Sequence, residues 1–279
     1  MCRSGVGKMK ESATLEILIG REDELRALQE SIQKRESRLI WGPMDSGKTF
    51  LIETAISSLP DAERRNCIYW AGAAGRKQLL SYFVGQLYGL GAPFVRKRIH
   101  ADGAAEATLT RWLRKQTSAR LRGILFTALL QGHYRFFIDH FPAMNHSMAQ
   151  LMKEIMYRCR TPIYLTARDC SQKGIGSAWS LFWNDGLRLP VNSLNERAAQ
   201  KLLDVCLRCF RLESFDSKEL RGDLLRLSGN IPGSIVKMCE LAAATKYHSG
   251  DRIKSTLVHA DYLMRENSSA FNRAPEFLP

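Results

Sequence analysis

The feature that most constrains this chain is the run Leu39-Ile40-Trp41 leading into Gly42, Pro43, Met44, Asp45, Ser46, Gly47, Lys48, Thr49 and Phe50. Three apolar residues read as a short buried strand, and a helical pattern begins at Lys48 and stops near Ser58, before Pro60. Between them the spacing fits G-x-x-x-x-G-K-[ST] without a mismatch, in the strand–turn–helix context that this pattern needs. The glycines allow backbone N–H groups to turn inward, and the start of the helix adds its positive pole, so the loop is a cradle for phosphate oxygens. Lys48 is placed to bridge two phosphates as a compact cation, and the Thr49 hydroxyl is placed to coordinate Mg2+. Residues 42–50 are therefore the expected ATP site. The competing reading is a glycine-rich turn with an incidental lysine. Gly5-Val6-Gly7-Lys8 is a decoy, because Met9 cannot ligate magnesium and no strand precedes it.

The pattern around this loop predicts an α/β fold. Strand signals recur at residues 67–71, 135–139, 162–167 and 187–189, and helical patterns at residues 22–34, 79–90, 109–130 and 148–157 fill the intervals. Such alternation implies a parallel sheet with helices on both faces, a three-layer αβα domain over residues 15–190. After Pro190 the periodicity becomes helical throughout, at residues 194–210, 217–227, 231–247 and 258–265, with no strand expected. That segment, residues 191–266, reads as a small all-helical lid domain. Residues 1–14 are expected to be a disordered start and residues 267–279 a flexible tail.

A phosphate loop needs a carboxylate at the end of a neighbouring strand to hold magnesium, and often a second acid to polarise the attacking water. Phe136-Phe137-Ile138-Asp139 offers the first, so Asp139 joins Thr49 as an expected magnesium residue; the alternative is an aspartate capping a strand end. The residue after Asp139, where a second acid could stand, is His140. Imidazole can accept a proton and position water, but it lacks a fixed negative charge. Slow hydrolysis, or binding without efficient hydrolysis, is one expectation from this position; a strand-end or packing role for His140 is the other.

Charge is the anomaly of the composition. The net charge is +13, and residues 92–135 carry nine basic residues against two acidic ones. This stripe either attracts nucleic acid or another polyanion, or is a solvated helix face whose arginine stems cover apolar neighbours. The seven cysteines are odd in number and lie in apolar stretches, which suits free thiols in a reducing, cytoplasmic setting. Cys206 and Cys209 have metal-ligand spacing, but no second Cys/His pair is placed to complete a site. No apolar run reaches the length of a membrane span, so no membrane insertion is expected.

Four segments in order resemble the AAA+ P-loop ATPases of the origin-recognition, secretion-helper and transposition-helper type, and more loosely the STAND (NB-ARC-like) ATPases. They are Ile19-Gly20-Arg21-Glu22-Asp23-Glu24-Leu25, the phosphate loop, Asp139, and Ser228-Gly229-Asn230-Ile231-Pro232-Gly233-Ser234-Ile235. Tyr164-Leu165-Thr166-Ala167-Arg168-Asp169 is similar to the T-T-R-D sensor strand of STAND proteins. The resemblance implies that Gly20 and Arg21 lead toward the adenine pocket, that Thr166 or Arg168 senses the γ-phosphate, and that the helix at Pro232 carries a second sensor. The family's arginine after that proline is missing, and Lys237, one turn on, is the nearest cation; a surface lysine is the other reading.

Two functions of different kind follow. One is a Mg-dependent ATPase, Lys48, Asp139, His140 and Arg168 being its catalytic candidates, in which ATP closes the lid and a homo-oligomer, protein partner or DNA assembly triggers hydrolysis. The other is a nucleotide switch that ATP or ADP sets and a protein partner reads. A small-molecule kinase would need an arginine-rich lid inserted between strands, which the helical segment after Pro190 argues against.

Overall fold

The computed structural model describes residues 18–72, 75–141, 143–215 and 217–272, with side chains described as far as residue 266. Residues 1–14 and 273–279, expected to be a disordered start and the end of a tail, lie outside them. The chain divides into two compact units that are not consecutive in sequence. One comprises Glu24–Gly42 and Lys48–Pro190; the other comprises, of the described residues, 18–23, Pro43–Gly47 and those from Val191 to Asn272.

The first unit is built on five parallel strands, β1 (Arg38–Trp41), β2 (Cys67–Ala71), β3 (Arg135–Asp139), β4 (Ile163–Ala167) and β5 (Arg188–Pro190), in the spatial order β2-β3-β4-β1-β5. Its longer helices are α1 (Glu22–Gln33), α2 (Lys48–Ser57), α3 (Arg76–Gly89), α4 (Pro93–Ala101), α5 (Leu109–Lys115), α6 (Ser118–Gln131) and α7 (His146–Lys153). Alternation along the strands sorts the apolar side chains onto two faces. Leu39, Phe136, Ile138, Ile163 and Leu165 belong to the core that α3, α4 and α6 cover, where Phe83 stacks on Phe136 with ring centroids 4.2 Å apart. Phe137 and Tyr164 point the other way and stack at 4.7 Å, and the Tyr164 hydroxyl donates to the Ser31 carbonyl of α1 at 3.2 Å. Each such fully buried side chain contributes about 1.5–3 kcal/mol relative to exposure. Burial on both faces explains why β3 and β4 read as unbroken apolar runs.

Two local features differ from the sequence reading. Helix α4 was not expected, because Arg96, Lys97, Arg98 and His100 obscure a stripe of only two buried residues, Val95 and Ile99. The helix expected over residues 109–130 is two helices, since Gln116 is extended and the Thr117 side chain caps α6 by accepting from the Arg120 N–H at 3.2 Å.

The second unit contains α8 (Glu196–Cys209), α9 (Lys218–Ser228), α10 (Pro232–Ala242) and α11 (Ser255–Asn272). Asn195 and Ser217 cap α8 and α9, and Gly229 ends α9 in the left-handed conformation at φ +59°. Leu203, Leu224, Ile235, Met238, Cys239 and Val258 form its core. Contrary to the expectation of no strand here, His248–Ser249 and Arg252–Ile253 form a small antiparallel hairpin. Helix α11 runs to Asn272, into the segment read as tail. Cys206 is buried while Cys209 is exposed, so the two cysteines of the C-x-x-C pair face different surroundings.

Candidate functional site

In the first unit the polar residues picked from sequence converge at the carboxyl ends of the strands, where open α/β sheets place their ligands. Asp139, the last residue of β3, is fully buried. Its Oδ2 accepts from the Thr49 hydroxyl at 2.6 Å and from the Tyr69 hydroxyl at 2.8 Å. Its Oδ1 accepts from the Thr166 hydroxyl and from the His140 N–H at 3.0 Å. Burial alone raises a carboxyl pKa, but the hydroxyls of Thr166, Thr49 and Tyr69, together with the charge of His140, outweigh it, and the Asp139 carboxyl lies below its ordinary value. An ionised carboxylate beside a threonine hydroxyl is a set of hard oxygen donors, the chemistry that suits Mg2+.

Thr49 reaches Asp139 because it sits in the first turn of α2, directly after Lys48. Lys48 is buried, and its Nζ donates to the Gly42 carbonyl at 2.9 Å. Phe50 is half-buried one residue on. His140 follows β3 with φ +55°, a left-handed conformation that places its Nε2 3.3 Å from the Thr49 hydroxyl and 3.5 Å from Asp139 Oδ2. Its backbone N–H also donates to the Thr166 hydroxyl at 2.8 Å. Of the two sensor candidates, Thr166 is buried within this cluster. Arg168 is exposed just beyond β4, and no contact between it and Asp139 occurs among the described residues.

Two residues of this cluster escaped the sequence reading. Tyr69 looks like any aromatic residue favoured in a strand, and only its position on β2 beside β3 brings its hydroxyl to Asp139. Burial, the hydrogen bond to Asp139 and the charges of Asp139 and Glu53 all push its phenol pKa up, so it stays a donor. Glu53 lies one helical turn after Thr49 on α2; burial and the charge of Asp139 push its carboxyl up. Its signal was the spacing i, i+4 from Thr49.

In the second unit, Pro43–Gly47 pack with the helices that follow Pro190. Arg21 is buried and donates to the Ser46 carbonyl at 3.1 Å and to the Asn192 carbonyl. Gly20 has φ +72°, and a Cβ there would stand 2.5 Å from the Ala198 Cβ, so glycine is required on both counts. Pro232 opens α10, and the next residue, Gly233, donates its N–H to the Asp45 carbonyl at 2.9 Å. Lys237 Nζ lies 2.6 Å from Asp45 Oδ2. Met44 is half-buried.

The basic segment divides into two classes. Arg122 forks onto Glu154 at 2.9 and 2.7 Å, Arg135 meets Glu63 at 2.7 Å, Arg120 pairs with Asp102, and Arg96 lies over the Tyr88 ring. Lys97, Arg98, Arg111, Arg114 and Lys115, on α4 and α5, are exposed, and none makes an ion pair among the described residues. Among the described residues no helix is long and apolar enough to cross a membrane.

The sequence matches no protein-family model and no curated protein. Solved structures do match. The Walker-type ATPase Paby2304 of Pyrococcus abyssi aligns with 92% of this chain and 77% of its own at 17% identity, with a TM-score of 0.58. The Orc1 protein of Aeropyrum pernix, solved in complex with DNA, aligns with 96% of this chain and 71% of its own at 13% identity, with a TM-score of 0.57. With the five-stranded parallel sheet and the strand–loop–helix at Gly42 to Thr49, these likenesses establish that the chain has the αβα fold of the P-loop ATPases, followed in sequence by a helical unit.

Proposed function

We propose that this protein is an AAA+ P-loop protein that binds ATP with magnesium and hydrolyses it slowly. The observation that carries the reading is the contact of the Thr49 hydroxyl with the buried, ionised Asp139 carboxylate at 2.6 Å, beside Lys48 and the first turn of α2. Thr49 and Asp139 would hold Mg2+, directly or through water, and the ion would supply positive charge to the phosphate oxygens and a template for them. Lys48 and the backbone N–H groups of residues 42–49 bind and orient the polyphosphate. Thr166 holds Asp139 in register from β4, and Tyr69 does so from β2.

Slow turnover follows from the residue after Asp139. His140 approaches the Thr49 hydroxyl, but no carboxylate follows Asp139 on β3 to polarise water. A switch that retains nucleotide and is read by a protein partner is the second reading, and the same substitution favours it. Steady-state phosphate release with ATP and magnesium separates the two. Measurable turnover lost in Lys48→Ala and Asp139→Asn supports the ATPase; nucleotide retained with no phosphate released supports the switch.

A polyanionic partner is part of the reading. Five exposed cations that make no ion pair among the described residues lie on two short helices close in sequence, and the Aeropyrum pernix protein of similar fold was solved with DNA. We assign Lys97, Arg98, Arg111, Arg114 and Lys115 to contacts with nucleic-acid backbone. Salt-dependent binding of a fluorescent duplex, weakened when these residues are replaced by alanine, tests it.

A further inference from the structure

Asp45 sets a carboxylate where a phosphate loop calls for positive potential. It is the fourth residue of the loop, in the left-handed region at φ +62°. One helix holds both its backbone and its side chain. The Gly233 N–H of α10 donates to the Asp45 carbonyl at 2.9 Å, and one turn later Lys237 Nζ lies 2.6 Å from Asp45 Oδ2. The approach depends on glycine: a Cβ at Gly233 would stand 2.8 Å from the Asp45 Cβ and 3.0 Å from its carbonyl oxygen. Glu266 of α11 completes the group, with its Oε1 2.7 Å from Lys237 Nζ. Burial pulls the Lys237 pKa down, but the hydrogen bonds to Asp45 and Glu266 and the charges of both carboxylates outweigh it, so the ammonium stays charged.

This geometry separates two roles for Lys237. An ammonium that binds a phosphate directly acts whatever residue stands at position 45. An ammonium that cancels the charge of Asp45 matters only while Asp45 is there. Two of its three donors are committed to Asp45 and Glu266. We propose that Lys237 is the counter-ion of Asp45, a positioning residue rather than a phosphate ligand, and that Asp45, Lys237 and Glu266 tie the middle of the phosphate loop to α10 and α11. Removing Lys237 exposes the polyphosphate to an uncompensated carboxylate. Removing Asp45 as well removes the reason for the lysine. The proposal rests on the reading of residues 42–49 as the nucleotide site.

The test is a double-mutant cycle in the full chain, with two readouts. The first is the affinity for a fluorescent ATP analogue with magnesium. Lys237→Met is expected to weaken binding about tenfold, Asp45→Asn to leave it equal or tighter, and Lys237→Met in the Asp45→Asn background to cost less than about twofold. Lys237→Arg, which keeps the charge, should stay within about threefold of wild type. A tenfold loss from Lys237→Met in both backgrounds would make the lysine a phosphate ligand and overturn the proposal. The second readout needs no nucleotide: amide hydrogen exchange across residues 42–50. Either single substitution should speed exchange about tenfold, and the pair no more than either alone. Unchanged exchange overturns the tie. A wild type that binds no ATP would defeat the reading of the phosphate site, and the exchange cycle would still decide whether the tie exists.

Discussion

Tyr69→Phe isolates one hydrogen bond in the Asp139 cluster, since it removes a single oxygen and keeps the ring. Asp139 is fully buried, and its Oδ2 would keep the Thr49 hydroxyl at 2.6 Å while Oδ1 keeps its two donors. A hydrogen bond to a charged group contributes about 1.5–3 kcal/mol, and with three donors remaining the lower end, about 1.5 kcal/mol, is expected at neutral pH. For a chain of this size that is a fall in melting temperature of about 3–6 °C. The pH dependence has a definite sign. The folded Asp139 carboxyl lies below its ordinary value, so its contribution is present above the unfolded pKa of about 3.9 and is lost as pH falls through the folded pKa. Loss of the Tyr69 donor raises the folded pKa toward the unfolded one, so the penalty is full near neutrality and shrinks in acid. Urea unfolding of wild type and Tyr69→Phe, stepped from about pH 7.5 to about pH 2, measures it. A penalty under about 0.5 kcal/mol at neutral pH, or one that grows on acidification, would refute the account of how Asp139 is kept charged.

Gly20→Ala combines a left-handed backbone with a Cβ 2.5 Å from that of Ala198, and should cost about 2–4 kcal/mol; a melting temperature within 1 °C or so of wild type would sink the packing argument. His140→Glu supplies the missing carboxylate and should raise turnover about tenfold or more. Phosphate release that is unchanged or lower would mean that position 140 does not limit hydrolysis. Replacing Lys97, Arg98, Arg111, Arg114 and Lys115 by alanine should flatten the dependence of log affinity on log salt by about 0.9 for each phosphate that is no longer neutralised, and an unaltered slope would remove these residues from the nucleic-acid interface.

The sequence was most legible where one pattern had one physical solution. Phe136 to Asp139 and Cys67 to Ala71 are apolar runs too short for helices and bounded by polar residues, and both strands lie where those runs do. Thr49 and Asp139 could be paired in advance because the motif dictates where each lies on its element. Legibility failed where a residue acts through a neighbour on another strand. Tyr69 enters the cluster only by the β2–β3 register, and Asp45 meets Lys237 only because α10 packs on the loop; neither pairing has a sequence spacing. Helix α4 was hidden because two buried residues, Val95 and Ile99, cannot set a period against four cationic or titratable neighbours. The hairpin at His248 to Ile253 was too short to show alternation. The charge stripe was ambiguous for a sound reason: among the described residues four of its nine cations are tied to carboxylates or rings and five make no ion pair, so both sequence-based readings describe part of it.

The central claim is that residues 42–49 bind ATP with magnesium, and calorimetric titration of ATP into the wild type and Lys48→Ala, with and without magnesium, tests it most directly. The account predicts magnesium-dependent binding with a Kd on the order of micromolar in the wild type, weakened at least about a hundredfold in Lys48→Ala while the variant keeps its fold. Equal binding in both proteins, or no binding by a folded wild type, would contradict it.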